Sequence, residues 1–171
     1  MPSKVYNNVE DHRLLDNGTV CEDVTKVGLP TLEHPTDEIK ASGMVMDIDM
    51  PNTTHLNASD FTIYHNNGVN CKMLANPGKH TIEFRTVRQK YDVPTGTIGH
   101  ESVKYRVIGV HRSTEKGDIE TGSPYGSTEK YSLLRYEEEV NGEITTLVDA
   151  MAGVLKFNGV DYNSEVQSML A

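Results

Sequence analysis

The sequence predicts a mainly β protein, an antiparallel β-sandwich or barrel with one short helix. Three observations lead there. Period-two alternation recurs at Met44–Met50, Thr81–Tyr91, Glu101–Arg112 and Tyr131–Asp149, the mark of strands with one face buried. Asp16-Asn17-Gly18, Asn141-Gly142 and Asn158-Gly159 sit beside or between such runs, and Asn-Gly readily supplies the two positive-φ residues of a type I′ turn. Helical periodicity is confined to one short stretch, so the βαβ alternation of a parallel sheet is missing.

Taken in order, residues 1–15 are polar apart from Leu14 and Leu15 and read as a flexible N-terminal arm. Thr19–Leu29 reads as a strand stopped by Pro30, and Thr31–Ser42 as an extended segment broken by Pro35. Met44, Met46, Ile48 and Met50 alternate with Val45, Asp47 and Asp49, which predicts a half-buried strand whose methionines pack in the core. Pro51–Asn57 is a polar turn, and Ser59–Tyr64 a strand. Asn67–Ala75 is the helix, with Val69, Met73 and Leu74 as its apolar stripe and Pro77-Gly78 ending it. Two strands follow around the turn Pro94–Gly99: one has Ile82 and Phe84 inward, the other Val103, Tyr105 and Val107. Ser113–Thr128 is rich in Gly, Ser and Thr and reads as a long loop, a length that usually serves function or assembly.

The central ribbon is Tyr131–Asp149. Counting outward from Asn141-Gly142 pairs Val140 with Glu143, Glu138 with Thr145, Tyr136 with Leu147 and Leu134 with Asp149. One face then carries Leu134, Tyr136, Val140 and Leu147, interrupted by Glu138. The other carries Arg135, Glu137 and Glu139 opposite Ile144 and Val148. A two-stranded ribbon is marginal alone in water and needs a sheet beside it. Met151–Phe157 and Val160–Tyr162 add strand, and Asn163–Ala171 a short helix, for seven or eight strands in all.

At 171 residues the chain is expected to be one domain, yet it is only 36% apolar, with no Trp and three Phe. Such a lean core points to surface buried by assembly. A formal charge of −9 argues against binding nucleic acid by phosphate neutralisation. Cys21 and Cys71 form no C-x-x-C pair and read as reduced, buried thiols, with a single disulfide as the alternative. No apolar leader opens the sequence and no run is long enough to span a membrane. On these features the chain is expected to be made and kept in a cytoplasm.

Chemistry is sparse. The seven His residues lack metal-ligand spacing. Asp47 and Asp49, on one strand face, are either a carboxylate pair or, more simply, a solvated face. Glu137-Glu138-Glu139 splits across two faces. Gly122–Gly126 lacks the Lys and following helix of a phosphate loop, and no nucleophile elbow or H-E-x-x-H helix is present. No catalytic, metal or cofactor residue is assigned, and the chain is not expected to be an enzyme.

The order of the pieces resembles the major tail tube protein family of contractile phage tails, over about Asp16 to Asp161. The resemblance runs through Asp16-Asn17-Gly18, Val27-Gly28-Leu29-Pro30, Glu38-Ile39-Lys40 and Ala41-Ser42-Gly43-Met44. It continues in Gly117-Asp118-Ile119-Glu120-Thr121-Gly122, Leu134-Arg135-Tyr136, Asn141-Gly142, Leu147-Val148-Asp149 and Phe157-Asn158-Gly159-Val160-Asp161. It implies a homohexameric ring whose strands join into a closed β-barrel, with rings stacked into a tube inside a sheath. DNA and a tape-measure protein would pass through the bore without specific binding. Sheath, baseplate and tail terminator proteins would be the other partners, the tail of a virion the destination, and the host bacterial cytoplasm the place of assembly. Within that frame Asp47, Asp49, Glu137 and Glu139 are the expected bore-facing acids. The turn at Met50, Asn52, Thr53, Thr54 and His55 is the expected ring-stacking element. A DNA-free contractile bacteriocin tube, a type VI secretion tube and a free-standing β-sandwich binding module are the alternatives.

Overall fold

The computed structural model describes residues 1–171. Twelve strands form it: β1 (Lys4–Asp16), β2 (Thr19–Cys21), β3 (Val24–Gly28), β4 (Thr36–Ile39), β5 (Ile48–Pro51), β6 (Asp60–His65), β7 (Lys79–Asp92), β8 (Thr97–Glu115), β9 (Ser127–Val140), β10 (Glu143–Asp149), β11 (Val154–Phe157) and β12 (Val160–Asp161). A 3-10 helix spans Val69–Ala75, and α1 spans Ser164–Leu170. Ten strands make one antiparallel sheet in the order β2-β1-β7-β8-β9-β10-β11-β12, and β6, carrying β3 on its far side, also pairs with β9. β9 therefore has β8 along one side. Along the other it has β6 beside its first half and β10 beside its second. β4 and β5 form a separate hairpin.

Three of the four Asn-Gly pairs form turns with both residues at positive φ; at the fourth, Asn67-Gly68, only Asn67 is positive, at 59°. The φ values of the three turns are 49° and 86° at Asn17-Gly18, 49° and 87° at Asn141-Gly142, and 51° and 83° at Asn158-Gly159, which only Gly and Asn adopt readily.

The core joins Leu14, Phe61, Ile63, Leu74, Ile82, Val107, Tyr131 and Tyr136 with both cysteines, which are buried and free. Phe61 stacks on Tyr131 with ring centroids 4.9 Å apart. Near the sheet's two ends, His12 Nε2 reaches the Val24 carbonyl at 2.9 Å, although no ladder closes a barrel between β3 and β1. Gly109 sits where no side chain fits. A Cβ there would lie 2.8 Å from Phe61 Cε1 and 2.9 Å from the Ser132 carbonyl oxygen.

Several expectations change. Residues 4–16 are not a flexible arm but a thirteen-residue strand paired with β7. Two register shifts, between Tyr6 and Val9 and between Val9 and Asp11, break the alternation that would have betrayed it. Met44–Asp47 lies outside any strand, and Ile48–Pro51 is exposed rather than half-buried. Thr19–Leu29 divides into β2 and β3 around Glu22-Asp23. The short helix is 3-10, and it buries Cys71 and Leu74 while Val69 stays exposed. The ribbon keeps Val140 opposite Glu143, but a shift between Ile144 and Thr146 moves every later pair by one residue. Glu138 then faces Thr146, Tyr136 faces Val148 and Arg135 faces Asp149. Glu138, the polar interruption, accepts a hydrogen bond from the Tyr136 hydroxyl at 3.1 Å.

Candidate assembly surfaces

The most unusual feature is a three-stranded extension with no layer beneath it. β1 pairs with β7 over Lys4–Asp16, but its other edge meets β2 only at Leu14–Asp16. β8 pairs with β7 from Thr97 onward, yet β9 joins it only from Val103. Residues 4–11 and 97–101 thus present open edges on opposite flanks of one ribbon. Val5, Tyr6, Val9, Val87, Tyr91 and Ile98 on this extension are all more than a third exposed. Its root is pinned at Glu101, where Arg88 Nη2 lies 2.6 Å from one carboxylate oxygen and Asn141 Nδ2 donates to the other at 3.1 Å. Long open edges bearing apolar side chains invite strand pairing with another chain.

A second such feature is the β4–β5 hairpin, whose four register pairs run from Thr36↔Pro51 to Ile39↔Ile48. Every residue of both strands is exposed, and at the tip Val45 and Met46 stand in solvent. Of the expected stacking residues, Met50 lies on β5 and Asn52–His55 form the turn at the hairpin's base. There Asn52 Oδ1 accepts from the Thr54 amide at 3.1 Å and the Thr54 hydroxyl at 2.9 Å. Thr54 and His55 line a shallow groove against Val148, Asp149 and Leu155.

The expected bore acids fall into two groups that the fold keeps apart. Asp47 and Asp49 lie on the hairpin, with Asp47 3.7 Å from Lys40 Nζ. Glu137 and Glu139 lie on the sheet face turned away from the core, where directly opposed residues share a side. Two rows cross that face: Arg13-Arg85-Lys104-Glu139 and Glu83-Arg106-Glu137. Arg135 and Asp149 begin a third. Arg106 reaches Glu139 at 3.0 Å and Glu137 at 3.4 Å, and Arg135 reaches Glu137 at 3.5 Å. Burial opposes the Arg106 charge, and Glu137, Glu139 and Glu83 together outweigh it, leaving its pKa raised. Arg85, bonded to Glu83 at 2.7 Å, holds that carboxyl below its usual range.

Sequence reasoning missed a polar cluster inside the core. Asp16 bonds His80 Nδ1 at 2.9 Å, while His80 Nε2 faces the Asn76 carbonyl at 2.7 Å. Glu129, 1% exposed, takes bonds from the His65 ring at 3.3 Å, the His111 ring at 2.8 Å and the Thr114 hydroxyl. These carboxylates and imidazoles resemble acid–base machinery, but each oxygen is occupied by an internal partner and none opens on a cleft. Their arrangement satisfies buried polarity. Alternation over Ser127–Tyr131 places Glu129 inward, and that is the signal by which it could have been found.

These features define a class: a β protein whose distinctive surfaces are strand edges and a projecting hairpin, shapes suited to other copies of itself. Residues 10–170 match the family model described as phage tail tube protein FII, and the chain belongs to that family. It is a structural subunit of a phage tail tube. No curated protein matches the chain.

Proposed function

We propose that this chain forms hexameric rings that stack into the tube of a contractile phage tail, closing a β-barrel across subunits around a bore that conducts DNA. The observation that carries this reading is the coreless extension with two open edges. Because the edges of residues 4–11 and 97–101 lie on opposite flanks, one subunit's edge meets a different edge of the next. Such a heterologous contact propagates in one rotational sense, and it makes a ring when that rotation closes, here after six copies. Closure removes both edges and covers the exposed Val5, Tyr6, Val9 and Ile98, which explains the lean core.

The β4–β5 hairpin is the stacking element of this reading, with Met50 on its second strand and Asn52–His55 setting its base. A two-stranded hairpin is marginal unless packed on something, and an adjacent ring supplies that surface. The sheath, baseplate and terminator proteins of the tail would then meet the remaining surfaces, with the tape-measure protein inside.

Negative-stain microscopy of the purified chain tests the reading. Six-fold rings or hollow tubes are expected at high concentration. A particle that stays monomeric at every concentration overturns it.

A further inference from the structure

We infer that the bore of this tube is charge-compensated, neither repelling nor holding a polyanion. This rests on the tube reading above. The sheet has one covered face, carrying β3, β6 and the 3-10 helix over the core, and one uncovered face. In a ring closed through the edges of β1 and β8, the covering layer needs the larger circumference and so lies outside. The uncovered face lines the bore.

That face does not share the acidity of the whole chain. Across β1, β7, β8, β9 and the end of β10 its three rows hold four carboxylates, Glu83, Glu137, Glu139 and Asp149, against five cations, Arg13, Arg85, Lys104, Arg106 and Arg135. The middle row goes on through Leu147 to Lys156 and Asp161, one charge of each sign. The net charge of −9 is therefore carried by other surfaces. Three of those five cations are also held by carboxylates, while Arg13 and Lys104 have no ion-pair partner within the subunit. Arg85 binds Glu83 at 2.7 Å, Arg106 bridges Glu137 and Glu139, and Arg135 bridges Glu137 and Asp149 at 3.5 Å each. Opposite charges a few ångströms apart cancel beyond about one Debye length, roughly 8–10 Å in physiological salt. A cation already paired releases little counterion on meeting a phosphate, so it contributes little to binding. Because the numbers of opposite charges are nearly equal, a polyanion at the centre of such a bore meets only a weak net field from the wall, and its passage should depend little on salt. The arrangement differs from an acidic wall in one measurable respect: removing a few carboxylates turns it into a trap.

The test uses assembled tubes and a labelled single-stranded oligonucleotide narrow enough to enter. Wild-type tubes should retain none at low or high salt. Tubes of the double variant Glu83→Gln/Glu139→Gln free Arg85 and much of Arg106, and they should retain the oligonucleotide at least 10-fold more at low salt, as order of magnitude, with release as salt rises. Both side chains are partly solvated, so the fold should survive, and circular dichroism checks that it has. The reverse variant, Arg85→Gln, should retain none. Salt-sensitive retention by wild-type tubes, or unchanged exclusion by intact double-variant tubes, overturns the inference while leaving the tube reading standing. So does an image reconstruction that places Arg106 on the outer wall. Absence of any wild-type tubes instead removes the tube reading itself.

Discussion

Asp16 and His80 show how single residues hold this fold together. Both are nearly inaccessible, at 1% and 3%, and they meet at 2.9 Å where β1 and β7 frame the core. Removing one partner leaves the other buried without its hydrogen bond, which typically costs about 1–3 kcal/mol. Asp16→Ala should lower stability by that order in urea denaturation. Lys40→Ala breaks only exposed pairs, with Glu38 at 3.1 Å and Asp47 at 3.7 Å, and should change it by less than ~1 kcal/mol. Equal costs would mean that the buried pair is not a structural anchor. Alkali probes the same core. Burial pushes the Cys21 thiol from 9.0 up to about 12, and raises Cys71, Tyr131 and Tyr136 as well. Above the ordinary thiol value the unfolded chain loses a proton that folded Cys21 keeps. Stability therefore falls as pH rises from 9.0 to about 12, by up to ~1.4 kcal/mol per pH unit for such a group. Cys21→Ala should flatten the decline at the start of this range, where the tyrosines, with an ordinary value of 10.0, contribute least. An unchanged slope in a pH series of urea midpoints would count against that origin.

Elements differ in how openly the sequence announced them. β7, β8 and β9 were legible because an antiparallel sheet with one covered face must alternate, and Ile82, Val103, Val107 and Tyr136 do so. The Asn-Gly turns were legible because few residues tolerate positive φ. β1 was hidden by two bulges, and the ribbon's outer register by a third at Thr145, since an extra residue is invisible to a count made from the turn. The methionine run of Met44–Met50 misled for another reason. Its alternation reflects a hairpin whose apolar tip has no partner within one chain, and alternation alone does not say where that partner is. Gly109 tests the bend between layers, near the register shift from Ile108 to Gly109. Gly109→Ala forces a methyl against Phe61 and the Ser132 carbonyl, and should cost about 1–3 kcal/mol by overpacking, seen as a lower urea midpoint. The hairpin is testable separately: replacing Lys40–Asp47 with Asn-Gly should leave the subunit folded and able to ring, but unable to build long tubes. Tubes of normal length from this variant would move stacking to another element.

At the scale of the whole molecule, the fold divides into a part that is complete and a part that is not. Around Phe61, Tyr131 and Leu74 the packing is closed and every buried side-chain polar atom has a partner. Toward Lys4, Asp92 and Thr97 the chain continues as three paired strands with solvent on both faces and two unused ladders. Keeping this extension soluble yet ready to pair requires that its apolar side chains stay near the edge, as Val5 and Val9 do at 44% and 57% exposure. Their exposure also makes them the cleanest place to separate folding from assembly. Charged side chains on an edge strand block edge-to-edge pairing with little effect on the strand's own ladder. Val5→Lys/Val9→Lys should therefore keep the circular dichroism spectrum and, within ~0.5 kcal/mol of the wild type, its urea stability, because substitutions at exposed positions rarely exceed that. In sedimentation the same variant should run as a single chain at concentrations where the wild type forms rings. Rings from the variant in normal yield would show that closure uses another surface, and loss of folded signal would show that β1 is part of the closed core after all.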